Sequence, residues 1–311
     1  MNAFADVHYL PIARYEQVDT RFDKDLGIYW AWMNPKPRAY FNPQLLAELS
    51  HYVDTIENGA GTMSDARGER GELRYTVIAS KAAGVFNLGG DLALFRSAIQ
   101  RRDRATLVHY GRSCVDTLYR WWRNCELPIT TISLVQGDAL GGGFECALSS
   151  SVLIAEEDAR MGFPEILFNL FPGMGAYSFL SRKVGRRITE ELVTSGAIYT
   201  ARQLYDLGVV DVITPNGTGE AAVESFVRKH ARSANGRRGI EAIAREMNPL
   251  THEELVRVVG LWADAALKLS ERDLRMMDRI VRAQARHAAD DVDVPVAVPN
   301  NVVSLAVGSG D

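Results

Sequence analysis

The 311-residue sequence has little cysteine, no long apolar run and no excess of basic residues. The three cysteines, Cys114, Cys125 and Cys146, lack metal-ligand spacing, and their odd number does not suit a disulfide framework. No stretch of about 18 or more apolar residues occurs, which excludes an ordinary membrane-spanning helix. A formal net charge of −4 argues against a protein that binds nucleic acid or an anionic membrane.

The remaining composition is typical of a globular protein. With 47% hydrophobic residues, the chain can bury a substantial core in one large domain, or in one domain with an appended piece. The first residues, MNAFADVHYLPIARYEQ, lack a basic segment followed by an apolar one, so a secretory signal is not expected. Few, unpaired cysteines are typical of reduced thiols in the cytosol. We therefore expect a cytoplasmic protein.

Short apolar segments, rich in β-branched residues, predict a buried sheet. Strands are expected over residues 27–33, 73–80, 129–136, 151–157 and 209–214. Amphipathic patterns between them predict a helix from Pro43 to Ile56 and helix across most of residues 92–124. Strands that alternate with helices indicate an α/β fold with a largely parallel sheet.

After residue 216 the strand signals stop and helical periodicity takes over. Ser270 followed by Asp273 resembles a capping arrangement that opens a last helix. From about residue 290 the helical period is lost and the chain ends in Gly and Ser. The sequence therefore predicts an α/β core over 1–216, a helical region over 217–289 and a disordered tail over 290–311.

Two glycine-rich turns, each directly after a predicted strand, are the first candidates for chemistry. One is Gly141-Gly142-Gly143, which precedes a helical segment containing Glu145, and the other lies in VFNLGGDL, residues 85–92. Free N–H groups at a helix start attract an anion, or a carbonyl oxygen that becomes anionic during a reaction. The phosphate signatures GxxxxGK[ST] and GxGxxG are absent, and a carboxylate at Glu145 would repel phosphate. A reacting carbonyl therefore fits the turns better.

A second acid, Glu165, lies in the apolar stretch MGFPEILFNLF. Two carboxyl groups beside an apolar pocket have pKa values that are raised and pushed apart, so that one tends to hold a proton. Such a pair can give one proton and take another. Taken singly, each glycine cluster is better explained as a tight turn, and an isolated glutamate is usually a solvated surface residue.

Other catalytic arrangements are poorly represented. No GxSxG motif occurs, which argues against a serine esterase of the α/β-hydrolase type. HExxH is missing and the six histidines are scattered, so neither a metal site nor a cofactor is expected. Cys146 follows Glu145 directly, points in another direction on a helix, and is expected in the core.

Four motifs, in order, resemble the crotonase (enoyl-CoA hydratase/isomerase) superfamily. They are VFNLGGDL, VQGDALGGGFE, GFPEILFNLFPGMGA and TARQLYDLGVVDVI, within residues 25–215. The resemblance implies a spiral of β-β-α units with a C-terminal helical region. It also implies that the backbone N–H groups of Leu88 and Gly142 form an oxyanion hole, and that Glu145 and Glu165 are the catalytic acids.

A finer resemblance is to the diffusible signal factor synthases, bacterial enzymes that make cis-2-unsaturated fatty acids for quorum sensing. It is carried by FNLGGDLALF, LVQGDALGGGFE, FPGMGAYSFL and LRMMDRIVRAQ. It implies dehydration of a 3-hydroxyacyl chain on acyl carrier protein (or CoA), then hydrolysis of the enoyl thioester. A homotrimer or hexamer and a regulatory sensor kinase as partner are also implied. We assign the larger share of proton transfer to Glu165, and the orientation of water to Glu145.

Residues near the acid pair and in the helical region are candidates to bind the acyl thioester. They are Gly89, Gly141, Leu167, Phe168, Leu170, Gly173, Met174, Tyr177 and Trp262. Each large apolar member is equally explained as ordinary core. Arg101, Arg102 and Arg104 are candidates to contact an acidic carrier protein, although basic residues also commonly solvate a helix.

Two other interpretations stay open. A conventional CoA-linked hydratase or isomerase, without a thioesterase step, shares every one of these motifs. A non-catalytic acyl-binding or regulatory protein on the same scaffold is the second, and the retention of both acids beside both glycine turns argues against it.

Overall fold

The computed structural model of the protein describes residues 15–287, so the tail predicted over 290–311 lies outside the described residues. The strands are β1 (Val18–Asp23), β2 (Ile28–Met33), β3 (Thr62–Ser64), β4 (Arg70–Glu72), β5 (Tyr75–Ser80), β6 (Val85–Asn87), β7 (Thr130–Val135), β8 (Asp138–Leu140), β9 (Val152–Glu156), β10 (Arg160–Gly162), β11 (Ile198–Thr200) and β12 (Val212–Thr214). The helices are α1 (Pro43–Asn58), α2 (Leu92–Gln100), α3 (Arg104–Trp122), α4 (Gly142–Leu148), α5 (Ala176–Ser195), α6 (Ala201–Asp206), α7 (Gly219–His230), α8 (Ala234–Met247), α9 (His252–Ala266) and α10 (Glu271–His287).

A six-stranded sheet and a four-stranded sheet carry the fold. The larger sheet has the order β1-β2-β5-β7-β9-β12, and the smaller has the order β11-β10-β8-β6. Pairing in the larger sheet is parallel except between β1 and β2. Each of the five predicted strands is present there. Four of them, β2, β5, β7 and β9, are short, buried runs, whereas β12, predicted over 209–214, covers only Val212–Thr214 and is partly buried. The edge strand β1 was not predicted, since its residues are only partly buried.

The chain passes repeatedly from the large sheet to the small sheet and then into a helix. The successive units are β5-β6-α2, β7-β8-α4 and β9-β10-α5. This is the predicted α/β spiral of β-β-α units, followed by C-terminal helices. Because β6 and β8 are parallel neighbours, the glycine turns that follow them lie side by side.

The span from residue 92 to 124, predicted as mostly helix, contains two helices with a break between them. Arg102 has a left-handed φ of 53°, and the Asp103 side chain accepts a hydrogen bond from Thr106 N–H to begin α3. Asp91 caps α2 in the same way by accepting from Leu94 N–H. Two capped starts so close together favour a break over one continuous helix.

The C-terminal helices bury their apolar faces against the α/β part. Helix α7 packs on the outer face of the large sheet, and α9 crosses α3. At that crossing a Cβ on Gly111 would overlap Val259, so the absence of a side chain lets the two helices approach closely. The predicted reciprocal cap of Ser270 and Asp273 is present at the start of α10. No helix within residues 15–287 is long and apolar enough to cross a membrane.

Candidate active site

Two glutamates from different elements meet at one end of an apolar cavity. Glu145 lies on α4 and Glu165 on a short 3-10 helix, Pro164–Phe168, that follows β10. Glu145 is only 1% exposed, and its Oε1 accepts hydrogen bonds from Met174 N–H at 2.7 Å and Ala176 N–H at 3.0 Å. These two backbone donors stabilise the charged carboxylate of Glu145.

Glu165 has a different environment, although its carboxyl group borders the same cavity. The residue as a whole is half-buried, but its Oε2 is excluded from solvent and has no hydrogen-bond partner within residues 15–287. A buried carboxyl oxygen without a donor is costly to charge. Among the described residues, the structure thus leaves one carboxyl oxygen of the pair unpaired, on a residue that lines the cavity.

The two environments raise both pKa values and separate them. Burial raises the pKa of Glu145 to about 7, and the N–H groups of Ala176 and Met174 oppose that rise. Burial, and next the charge of Glu145, raise the pKa of Glu165 to about 8. Between these two pKa values the pair therefore holds about one proton, and Glu145 is the more readily charged member.

Two glycines in the Gly141-Gly142-Gly143 run, the first and the third, have a steric reason. Gly141 has a φ of 53°, and a Cβ there would overlap Glu165 Oε1. A Cβ on Gly143 would overlap the backbone carbonyl of Asn87. Gly142 lies against the other glycine turn, with Gly90 N 3.5 Å from the place of its Cβ.

The hydrogen bonds of the second glycine turn correct one prediction. Leu88 N–H, expected to face the substrate, donates to the Ala39 carbonyl at 2.7 Å. Gly89 N–H donates to Asn87 Oδ1 at 2.8 Å. Within the described part of the chain, Gly90 N–H and Gly142 N–H donate to no acceptor. The free pair of donors is therefore Gly90 with Gly142, because the N–H group of Leu88 is already hydrogen-bonded to the carbonyl of Ala39.

The cavity beside these groups is almost entirely apolar. Its empty volume, counted together with the adjoining space that is open to solvent, is about 1080 Å³. Seven of the predicted binding residues line it: Gly89, Gly141, Phe168, Leu170, Gly173, Met174 and Trp262. A Cβ on Gly173 would overlap the Trp262 ring, so that glycine allows the loop to pack on α9.

Two predicted binding residues do not line the cavity. Leu167 is 53% exposed, whereas its neighbour Phe168 is buried, because consecutive residues of the 3-10 helix point in different directions. Tyr177 is 42% exposed, and its hydroxyl donates to Glu190 on the same helix. Of the nine candidates, these two are thus not brought to the cavity that the acid pair borders.

The cavity also has lining residues that sequence reasoning missed as site residues. They come from α1 and α3, and include Leu46, Tyr52, Tyr110, Thr117 and Trp121. The helical periodicity of residues 107–121 marked an inward face, but it did not indicate that this face borders a cavity. Of the basic residues considered for a carrier protein, Arg104 pairs with Asp264 at 2.7 Å, and Arg101 and Arg102 are exposed.

Comparisons with solved structures show which fold this is. Enoyl-CoA hydratase from Bacillus halodurans superposes with a TM-score of 0.69 at 19% identity, over 84% of this chain and 99% of that one. Pseudomonas aeruginosa DspI superposes with a TM-score of 0.59 at 18% identity, over 88% of this chain and 96% of that one. At such identities the likeness shows a shared fold.

Sequence comparisons identify the family. Methylglutaconyl-CoA hydratase from mitochondria of Mus musculus is 30% identical over 190 residues, which cover 60% of this chain and 55% of that protein. The chain thus spans little more than half the length of this relative. Residues 34–266 match the enoyl-CoA hydratase/isomerase family, which is most of the chain. The protein therefore belongs to the enoyl-CoA hydratase/isomerase family.

Proposed function

We propose that the protein removes water from a 3-hydroxyacyl thioester and then hydrolyses the enoyl thioester, releasing a cis-2-unsaturated fatty acid. One observation carries the proposal: two glutamates, whose carboxyl groups have raised pKa values, lie beside the free N–H groups of Gly90 and Gly142 at an apolar cavity. Family membership supports the dehydration step, which is the reverse of a hydratase reaction. The motif resemblance to diffusible signal factor synthases supports the cis product and the hydrolysis.

In the dehydration step, the thioester oxygen accepts hydrogen bonds from Gly90 N–H and Gly142 N–H. These donors stabilise the enolate that forms when the C2 proton leaves. The charged member of the acid pair accepts that proton, and the neutral member protonates the 3-hydroxyl group, which departs as water. Backbone hydrogen bonds favour Glu145 as the charged member before substrate binds, and Glu165 then holds the proton to be donated. This proposal gives Glu145 a proton transfer of its own, in place of the expectation that it mainly orients water.

In the hydrolysis step, a water molecule attacks the thioester carbon. A glutamate of the pair accepts one proton from that water, and the same two N–H groups stabilise the tetrahedral oxyanion. The carbon–sulfur bond then breaks, and the proton passes to the leaving thiolate. The products are the free fatty acid and the thiol of the carrier.

A conventional enoyl-CoA hydratase or isomerase, without the hydrolysis step, is the second candidate. The names of the similar proteins favour it, since they describe hydratases that act on CoA thioesters. Both candidates use the same acid pair and the same N–H groups. Only product analysis separates them.

Partners follow from the resemblance and from two surfaces. Acyl carrier protein is proposed as the acyl donor, with the exposed Arg101 and Arg102 as basic contacts, and a regulatory sensor kinase is proposed from the resemblance alone. A homotrimer or hexamer is supported by α8, whose Ile240, Ile243 and Met247 are 69%, 63% and 79% exposed on one face. Light scattering of the purified protein measures the assembly directly.

Incubation with 3-hydroxydodecanoyl carrier protein and with the matching CoA thioester tests the function. Products are resolved by mass spectrometry and isomer-separating chromatography. Free cis-2-enoic acid, absent with the Glu145→Gln/Glu165→Gln double variant but present with the exposed control Glu191→Gln, is the expected result. Enoyl thioester without free acid would support the conventional hydratase, and no turnover of either substrate would support a binding protein.

A further inference from the structure

One face of each of three helices lines the apolar cavity. From α3 these residues are Tyr110, Cys114, Thr117, Leu118 and Trp121. From α1 they are Leu46, Leu49, Tyr52 and Val53, and from α4 they are Gly142, Glu145, Cys146 and Ser149. The steps of three and four residues are those of a single helical face. The cavity therefore runs along the helices as a tunnel and does not lie across them.

The three helices share an end at the catalytic groups. Gly142, with its free N–H, is the first residue of α4. The Tyr110 hydroxyl donates to the carbonyl of Phe41 at 2.6 Å, just before α1, and accepts from Asp91 N–H at 3.3 Å, next to Gly90. The thioester end of a substrate would thus lie at the start of the tunnel.

Two aromatic side chains meet at the other end of the tunnel. The Trp121 Nε1–H donates to Ser150 Oγ at 2.7 Å, directly after the last lining residue of α4. The Tyr52 hydroxyl donates to the Tyr29 carbonyl at 2.8 Å, and the ring centroids of Tyr52 and Trp121 are 6.1 Å apart. Both side chains are buried, and hydrogen bonds to strand β2 and to the turn after α4 fix the rings in place.

We infer that Trp121 and Tyr52 form the end wall of an acyl tunnel, and that the wall limits the substrate to acyl chains of about 10 to 14 carbons. At ~1.5 Å per residue, α3 rises roughly 16 Å from Tyr110 to Trp121, and α4 rises roughly 10 Å from Gly142 to Ser149. An extended alkyl chain advances roughly 1.25 Å along its axis per carbon–carbon bond, so these lengths hold about 8 to 13 bonds. The inference rests on the proposed function for the position of the thioester.

Binding of saturated acyl-CoA thioesters from four to eighteen carbons tests the wall without requiring turnover. Calorimetric Kd values should fall roughly fourfold per added methylene while the chain still enters the tunnel. They should stop falling at about 10 to 14 carbons, where the chain meets the wall. In Trp121→Leu this break should move to longer chains by about two carbons, and hexadecanoyl-CoA should bind about tenfold tighter than to the wild type.

Trp122→Leu is the matched control, because Trp122 is the next residue, is only partly buried and does not line the cavity. It should keep the wild-type break. Thr117→Leu adds volume to the middle of the tunnel and should move the break to shorter chains, which tests the inference even if Trp121→Leu does not fold. Two results would overturn the inference of an end wall. One is a wild-type Kd series that shows no break, and the other is a break at the wild-type chain length in folded variants at both Trp121 and Thr117. A clear break together with no product from any hydroxyacyl thioester would instead contradict the proposed function alone.

Discussion

Glu165 Oε1 lies over the backbone of Gly141, in the place that a β-carbon on residue 141 would occupy. Glycine is thus required at position 141 because any side chain there would collide with Glu165, which lies 24 positions later in the sequence. The contact fixes where the unpaired carboxyl group of Glu165 can sit.

Gly141→Ala should therefore displace Glu165 and lower kcat about 100-fold, the usual cost of a misplacement of about 1 Å. It should also lower the free energy of unfolding by about 1–2 kcal/mol, because alanine is strained at a φ of 53°. Gly217→Ala is the matched control, since Gly217 also has a positive φ, of 75°, but has no atom within 4 Å of its Cβ position. If both variants kept full activity, the contact with Glu165 would have no catalytic role.

Removal of one oxyanion donor can be separated from a change in bulk at Gly142. Gly142→Pro deletes the N–H group at the first residue of α4, a position that tolerates proline, and should lower kcat about 100- to 1,000-fold. Gly142→Ala keeps the N–H group, and its Cβ would make only ordinary contacts of 3.5 Å or more, so it should retain most activity. Equal losses in the two variants would show that bulk, and not the donor, matters. Steady-state kinetics and circular dichroism provide the measurements.

The pH dependence of dehydration should be bell-shaped. Activity requires one charged and one neutral carboxyl group, and burial raises the pKa of Glu145 to about 7 and of Glu165 to about 8. We expect kcat/KM to be highest between these values, to fall below them as Glu145 gains a proton, and to fall above them as Glu165 loses one. A rate that stays flat from pH 5 to 9 would contradict the shared proton.

The same raised pKa values predict a loss of stability with rising pH. Both carboxyl groups bind protons more tightly in the folded state than in the unfolded chain, where glutamate has a pKa of about 4.3. Their stabilisation is fully present below that pH and is lost as the pH rises through about 7 and about 8. At pH 8, Glu165→Gln should therefore be more stable than the wild type by on the order of a few kcal/mol in unfolding free energy, and should unfold at a higher temperature. Its unfolding temperature should also depend less on pH than that of the wild type. The exposed Glu191→Gln should match the wild type in thermal unfolding from pH 5 to 9.

Two consecutive residues should differ sharply in substrate binding. Phe168 is buried and lines the cavity, so Phe168→Ala should lower kcat/KM for a long-chain substrate by about tenfold or more through lost apolar contact. Leu167→Ala should leave kcat/KM unchanged, because Leu167 faces solvent. Comparing short and long acyl substrates separates acyl binding from general damage, since only the long-chain rate should fall in Phe168→Ala.

Local sequence patterns were sufficient for the main strands and for the acid pair as candidates. The strands β2, β5, β7 and β9 are contiguous apolar runs that are buried in the large sheet, and such runs are readable without tertiary information. Glu145 and Glu165 stood out because a carboxyl group directly after a glycine run, or inside an apolar stretch, is unusual. Their catalytic roles remain a prediction.

Only the tertiary structure decided which N–H groups are free and which side chains line the cavity. The resemblance predicted Leu88 as a donor, but its N–H group donates to the carbonyl of Ala39, almost fifty residues earlier, and within the described residues Gly90 N–H is free instead. Likewise, Leu167 and Phe168 are similar in sequence terms, but one is exposed and the other buried. Periodicity and composition encode burial and local conformation, whereas a hydrogen-bond partner or a cavity wall such as Trp121 depends on which distant segments the fold brings together.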